Sequence, residues 1–294
     1  MRAPALAAAL LLLSGCAAVG PHAPQAAIAP AAVPKTYQWL QGSGEAAALS
    51  RQSYGALTRY VLATVAERAK GGPVEGAVLA DGAALRSPAW AACGAKPAAI
   101  VLDMDETAIL NTGANYDSAR RGDPAFDVPR WDAWEQDGAS FVDPVPGAVE
   151  ALAALRAAGV TPIFISNRQA RFSGQATQAL AAAGLGDASA GRTMFLREAG
   201  TSSGKDMRRA TVAAQWCVLA MIGDQLGDFS DLFNAKGMDP DTRRKLAELP
   251  GVAARWGQGW FLIPNPVYGP GVVGTLEQVF PDHRWPGPQT KETK

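Results

Sequence analysis

Neither sign of charge prevails in this 294-residue sequence, where 27 lysines and arginines stand against 27 aspartates and glutamates. No basic patch breaks that balance, which argues against a nucleic-acid polymer as partner. Cysteine is limited to Cys16, Cys93 and Cys217. The apolar run at the start, Ala3–Leu13, is too short to cross a bilayer as a permanent helix. There is no internal repeat, so a solenoid is excluded. The length allows a large core in one domain or two small ones. Because acids are sparse overall, their concentration around Asp103 and again around Asp224 stands out.

The first residues read as a targeting segment. Met1–Arg2 supplies a minimal positive end, the apolar run follows, and then Leu13-Ser14-Gly15-Cys16. Small residues ahead of a cysteine resemble the bacterial lipobox, which implies cleavage before Cys16 and lipidation of its thiol. An ordinary secretory signal that happens to contain Cys16 is the alternative. Ala17 and Ala18 follow with no Asp, which by the same resemblance favours the outer membrane of a bacterial envelope over inner-membrane retention. Residues 16–36 are rich in Ala and Pro, hold a solvated His22, and read as a tether that cannot build a core. With Cys16 acylated, Cys93 and Cys217 are an even pair in an oxidising compartment. The expected organisation is a signal peptide at 1–15, the tether, one domain over 37–285 with an insertion at about 113–143, and a polar tail at 286–294.

Inside the domain, apolar runs alternate with stretches of helical period. Leu57, Val61 and Val65 predict a helix over Ser50–Lys70, ended by Gly71-Gly72-Pro73. A second helical piece is expected over Val74–Leu85. Further helices are expected over Pro144–Ala158, over Ala176–Ala183, and from Lys205 toward Gln215. Buried strands are expected at Ile100–Leu102, Val160–Ile165, Thr193–Leu196 and Cys217–Ile222, with a fifth apolar piece at Trp260–Ile263. Asn111–Tyr116 reads as irregular, and Ala119–Asp143, with Trp131, Trp134 and Phe141, as a small helical cover. Strands alternating with helices predict an α/β fold, a doubly wound Rossmann-like parallel sheet with a small, mainly helical cap.

The stretch Ala99–Thr107, AIVLDMDET, runs a buried strand straight into Asp103, Asp105, Glu106 and Thr107. Chemistry in such sheets sits at the carboxyl ends of the strands. Acids crowded there repel one another, and a divalent cation is the simplest relief. The bland reading is an acidic turn capping the next helix, since Asp and Thr favour helix N-termini. Against it, later strands deliver Ser166-Asn167-Arg168 and Gly223-Asp224-Gln225-Leu226-Gly227-Asp228-Phe229 at their own ends, with Lys205 between.

This ordered set, with Asn111 and the late Pro264-Asn265-Pro266-Val267-Tyr268-Gly269, resembles the haloacid dehalogenase superfamily, and within it the class C bacterial acid phosphatases of subfamily IIIB. The resemblance implies a Mg²⁺-dependent phosphomonoesterase acting at mildly acidic pH on substrates such as 5′-nucleotides or aromatic phosphates. A phosphatase for sugar or lipid phosphates and a non-catalytic surface lipoprotein binding nucleotides or haem are the other readings. In the implied roles, Asp103 attacks phosphorus and forms an aspartyl-phosphate. Asp105 protonates the leaving oxygen and then activates water. Thr107 braces the loop and Asp105. Ser166 holds a phosphate oxygen, and Lys205 balances negative charge. The implied metal ligands are the carboxylates of Asp103 and Asp224 and the carbonyl of Asp105, with Asp228, on the same face of an opening helix, orienting metal-bound water. Asn167, Arg168, Tyr116 and Tyr268 are the candidate substrate contacts. Arg168 either meets substrate or pairs with an acid, and Trp131 and Trp134 either stack on substrate or pack the cap. Tyr116 stands two residues later than the family's usual Tyr, and Gln225 replaces the usual Asn or Thr. Glu106 has no chemical role in this scheme beyond supporting the cap. The superfamily's strand order places Cys93 and Cys217 at one edge of the sheet, implying a disulfide; two buried free thiols are the alternative. Homodimers occur in the family.

Overall fold

A computed structural model describes residues 32–282 together with Trp285 and Gly287. Cys16, the targeting segment and most of the Ala/Pro-rich stretch lie outside the described residues, as does nearly all of the polar tail. In chain order the main elements are α1 (Lys35–Gly42), α2 (Gly44–Ala69), β1 (Glu75–Leu79), β2 (Trp90–Ala92), β3 (Ala98–Leu102), β4 (Ile109–Leu110), α3 (Thr112–Arg120), α4 (Val128–Asp137), β5 (Asp143–Pro144), α5 (Ala148–Ala157), β6 (Thr161–Gln169), α6 (Ser173–Ala182), β7 (Met194–Arg197), α7 (Asp206–Gln215), β8 (Cys217–Gly223), α8 (Pro240–Ala247), α9 (Pro250–Ala253), β9 (Trp260–Leu262) and α10 (Leu276–Val279). Among the described residues no helix is long and apolar enough to cross a membrane.

The central sheet has the order β7-β6-β3-β8-β9. All its pairings are parallel. Strand β3 is central, and its side chains alternate between two cores. Ile100 and Leu102 pack with Tyr54, Leu57, Val61, Leu152 and Leu180, from α2, α5 and α6. Ala99 and Val101 face Val212 of α7 together with Phe229, Phe233, Val252 and Trp260. Burial on both faces is why these strands read as unbroken apolar runs.

Three expectations change. The stretch Val74–Leu85 contains strand β1 rather than a helix, because Glu75–Leu79 pairs antiparallel with Trp90–Ala92. Gly76 lets the two backbones meet: a Cβ there would lie 2.4 Å from the Ala91 carbonyl oxygen. Helix α2 starts at Gly44, earlier than Ser50, because the Ser43 hydroxyl accepts the Ala46 amide at 3.0 Å and caps it. The irregular stretch after Asn111 is helix α3, whose weak propensity is overridden by side-chain bonds described below.

Helices α3 and α4 form the cap, and the short pair β4–β5 closes its base. At the opposite end of the sheet, Cys93 and Cys217 form a disulfide across 124 positions. Cys217 opens β8 beside Ala98 of β3, so the bond ties the segment after β2 to the floor of the sheet.

Candidate active site

The carboxyl ends of β3, β6 and β8 meet beneath a cavity of about 1110 Å³. The Asp103 amide donates to the Ile222 carbonyl at 3.2 Å, locking the acidic loop to the end of β8. Lys205 Nζ lies 2.6 Å from Asp103 Oδ1 and 2.7 Å from Asp228 Oδ1. That lysine is buried, and the neighbouring Asp103 and Asp228 raise its pKa against the effect of burial. Burial pushes Asp103 up, Lys205 pulls it down, and Asp228 and Asp105 push it up again, to about 7. Asp224 rises well above the usual carboxylate range through burial and the charges of Asp228 and Asp103.

Asp103, Asp224 and Asp228 each offer a carboxylate oxygen, and these oxygens lie within 4.8 Å of one another. One ammonium cannot balance three clustered acids, two of them buried. The donor set is all hard oxygen, and it fits a small divalent cation. Asp224 is prepared for such a role by its neighbours: Thr107 donates to Oδ1 at 2.8 Å, and Asn265 and Gln225 donate to Oδ2 at 2.8 and 3.1 Å. Thr107 therefore braces Asp224 rather than Asp105.

Asp228 sits at the end of a single 3-10 turn, Leu226–Asp228, rather than on the expected opening α-helix. Its Oδ2 accepts the Gln225 amide at 2.9 Å, which folds the side chain back under the strand end. Only glycine at 223 leaves room for this, since a Cβ there would lie 2.3 Å from the Asp228 Cβ.

Asp105 is held on three sides. Arg168 contacts its Oδ1 with Nη2 at 2.8 Å and donates from Nε at 2.9 Å. Asn111 donates to the same oxygen at 3.0 Å, and Ser166 to Oδ2 at 3.3 Å. Burial pushes Asp105 up, but Arg168 and Asn111 outweigh it and hold the carboxyl below its ordinary value. Arg168, which lines the cavity, is thus committed to an acid. Asn167 also lines the cavity, and its Oδ1 accepts from Arg208 Nη2 at 2.6 Å.

Glu106 is the acid that sequence reasoning left without chemistry, and it is fully buried. It takes the left-handed φ of 52°, uncommon outside glycine. Its Oε1 accepts from the Asn111 amide and Asn115 Nδ2, both at 3.0 Å; Oε2 accepts from Asn111 Nδ2 at 2.8 Å and Tyr268 OH at 2.7 Å. These bonds fasten α3 and the Tyr268 loop to the acidic turn. Asn111 is saturated in turn, its Oδ1 accepting from Arg168 Nη2 at 2.8 Å and Trp134 Nε1 at 3.1 Å.

The structure does not bring Tyr116 to the site. It is 70% exposed and lies outside the cavity wall. Asn115 faces Glu106, and the next helical residue turns away by about 100°. Tyr268, Trp131 and Trp134 do line the cavity, joined by Phe126, whose ring centroid lies 6.0 Å from that of Trp131.

Sequence reasoning missed Arg209. Buried in α7, it donates from Nη1 to the carbonyls of Gly227 and Asp228, both at 2.9 Å, and from Nη2 to Asp206 at 2.5 Å and Asp231 at 3.0 Å. Asp231 accepts the Lys205 amide at 2.7 Å. The network fixes the helix start carrying Lys205 to the turn carrying Asp228. Asp206 three residues before Arg209 was the one available signal. Glu135, also missed, lies under the cap, accepting from Trp131 Nε1 at 2.6 Å and the Gln169 amide at 2.8 Å.

Comparison with known proteins bears on this arrangement. The family described as HAD superfamily, subfamily IIIB (acid phosphatase), matches residues 70–271. Two solved structures of the class C acid phosphatase from Bacillus anthracis are similar in fold. One, with tungstate bound, is 24% identical, with a TM-score of 0.63 and coverage of 81% of this chain and 85% of that one. The other is 25% identical with the same TM-score of 0.63 and coverage of 81% and 85%. Comparison with curated proteins gives no match.

Proposed function

Because this chain belongs to the acid phosphatases of the HAD superfamily, subfamily IIIB, and so hydrolyses phosphomonoesters, we propose that it is a Mg²⁺-dependent enzyme working through an aspartyl-phosphate on Asp103. The observation carrying this reading is the placement of Lys205 Nζ against both Asp103 and Asp228 amid three clustered carboxylates. The similar Bacillus anthracis enzyme holds tungstate, a tetrahedral oxyanion like phosphate. Asp103, Asp224 and the Asp105 carbonyl would hold Mg²⁺, with Asp228 next to them. When bound, the ion supplies positive charge to the phosphate oxygens and to Asp103.

In the reaction, the Asp103 carboxylate attacks phosphorus in line with the leaving alkoxide. Lys205 sets its direction and offsets charge on the equatorial oxygens. Ser166, already turned toward Asp105, would donate to one of those oxygens. Asp105 gives a proton to the leaving oxygen, then takes one from the water that hydrolyses the acyl-phosphate. Arg168 and Asn111 hold the free Asp105 carboxyl below its ordinary value, so the proton it passes to the leaving oxygen is one it relays from the substrate, whose monoester keeps one below a pH of about 6. Acidic operation follows from that balance.

Aromatic and nucleoside phosphates are the favoured substrates, because Phe126, Trp131, Trp134 and Tyr268 line the approach. Stacking on such rings is worth about 1–3 kcal/mol per base. The short apolar leader and Cys16 support attachment to the bacterial envelope through a lipid, and a homodimer is the proposed assembly. The test is nitrophenyl-phosphate hydrolysis by the wild type and Asp103→Asn, with and without EDTA. Loss of turnover in the variant and in EDTA supports the mechanism; activity surviving both refutes it.

A further inference from the structure

Among the described residues, the cavity wall carries one cation that stands outside the catalytic scheme and has no ion-pair partner of its own. Arg121 and Arg130 are paired with Asp117, Arg168 with Asp105, and Lys205 with Asp103 and Asp228. Arg197, the remaining basic residue of the wall, has no ion pair or side-chain hydrogen bond among the described residues. It is half-buried at the last position of β7. Its charge reaches Asp132, but that carboxylate already accepts from Arg171 at 2.5 Å and from Gln169 Nε2. Arg208, which feels the charge of Arg197, is committed to the Ser166 carbonyl at 2.5 Å and to Asn167 at 2.6 Å. A guanidinium on a cavity wall with its donors free is a ready partner for a carboxylate or phosphate.

Its position fixes where that anion would sit. Strands β3, β6 and β7 are consecutive in the sheet, so β7 lies two strand spacings, about 10 Å, from the strand that ends in Asp103. Arg197 pairs in register with Gln169, beyond the level at which Phe164 pairs with Met194. It therefore stands on the cavity side of the sheet's carboxyl edge, above the level of the Asp103 loop.

We propose that Arg197 forms a second anion subsite, and that the preferred substrates are phosphomonoesters bearing a further phosphate or carboxylate within about 10 Å of the scissile phosphorus. The inference rests on the phosphatase reading above. Only the ester at Asp103 is cleaved; the second anion leaves on the product.

The experiment compares matched pairs: adenosine 5′-monophosphate against adenosine 3′,5′-bisphosphate, with the 3′-monophosphate identified as product, and glycerol 3-phosphate against 3-phosphoglycerate. Wild-type kcat/KM should favour the second member of at least one pair by about tenfold, the scale of a charge-assisted contact. The first pair reads a phosphate and the second a carboxylate. Arg197→Gln should collapse that ratio toward one, and Arg197→Lys should restore part of it. A wild-type ratio near one for both pairs, or a ratio unchanged in Arg197→Gln, overturns the subsite. Wild-type nitrophenyl-phosphate turnover separates the two failures: without it the phosphatase mechanism falls, and with it only the subsite does.

Discussion

The Tyr268 hydroxyl donates to Glu106 Oε2 at 2.7 Å, joining residues 162 positions apart. Glu106 in turn holds Asn111 and Asn115 of the cap, so one buried carboxylate links the late loop, the cap helix and the turn after Asp103. Tyr268→Phe removes one charge-assisted bond, worth about 1.5–3 kcal/mol, and kcat/KM should fall roughly ten- to a hundredfold if a displaced turn forfeits a similar amount at the transition state. Glu106→Gln should be worse, since its amide would meet donors from both asparagines. Calorimetry with a nitrophenyl-phosphate assay checks both; a Glu106→Gln variant as stable and active as the wild type would contradict this role.

Arg209 acts on the site through Lys205 and Asp228 without touching either side chain. Arg209→Met strands the Gly227 and Asp228 carbonyls, an expected cost of about 1–3 kcal/mol; Asp206 and Asp231 also lose a partner, but both are partly exposed and add little. Asp231→Asn keeps the shape and should be milder. In both, kcat should fall with KM nearly constant, because the displaced groups serve the reacting phosphoryl rather than the rest of the substrate. A variant in which KM alone moved would contradict this.

Metal should stabilise the fold through Asp224. At a free Mg²⁺ concentration of 100 times Kd, the gain is about 2.7 kcal/mol, or roughly 5–11 °C in Tm for a domain of this size. EDTA should remove the shift and the activity together. Asp224→Asn should show neither response, and a full Mg²⁺-dependent shift in that variant would remove Asp224 from the ligand set.

Reducing the Cys93–Cys217 bond opens a loop of 124 positions. The chain-entropy argument puts the cost near 5 kcal/mol, with measured values usually about 2–5. Dithiothreitol, or the double change Cys93→Ala and Cys217→Ala, should lower Tm while leaving kcat near its wild-type value at 25 °C, because the bond lies at the end of the sheet away from Asp103. An unchanged Tm under full reduction would count against it.

Glu135 gives the fold a pH slope. Burial raises its pKa above the ordinary value, opposed by the Gln169 amide and reinforced by Asp105. Between the unfolded and the raised folded value, the native state binds the proton more tightly, so stability falls as pH rises through that window and levels off above it. Melting curves of the wild type and Glu135→Gln from pH 4 to 7 should differ in slope inside the window and match above it. Parallel curves throughout would show that Glu135 contributes none of the slope.

Strands β3 and β8, and β6 as far as Ile165, were legible because burial on both faces leaves apolar runs there; β6 continues through the polar Ser166–Gln169, which carried no strand signal. Strand β1 was not, because its conformation depends on Trp90–Ala92 lying alongside, and apolar spacing in a short piece does not separate helix from strand. The acids could be picked out by type and by their place at strand ends. Their partners could not: that Thr107 serves Asp224, or that Arg168 serves Asp105, depends on rotamers and on which strand ends are neighbours. Arg209 resembles any helical surface arginine until the fold buries it. Tyr116 shows the opposite error, a residue with suitable chemistry that a single step along a helix turns outward.

Asn111 carries every hydrogen bond its amide can make toward Asp105, Glu106, Arg168 and Trp134, and its orientation is fixed because Arg168 and Trp134 can only donate. It has no spare rotamer with which to absorb a disturbance. A substrate bulky enough to shift Trp134 must therefore shift Asp105 as well. Selection against such molecules would register in turnover rather than in binding, with the cap reporting molecular size directly to the proton donor.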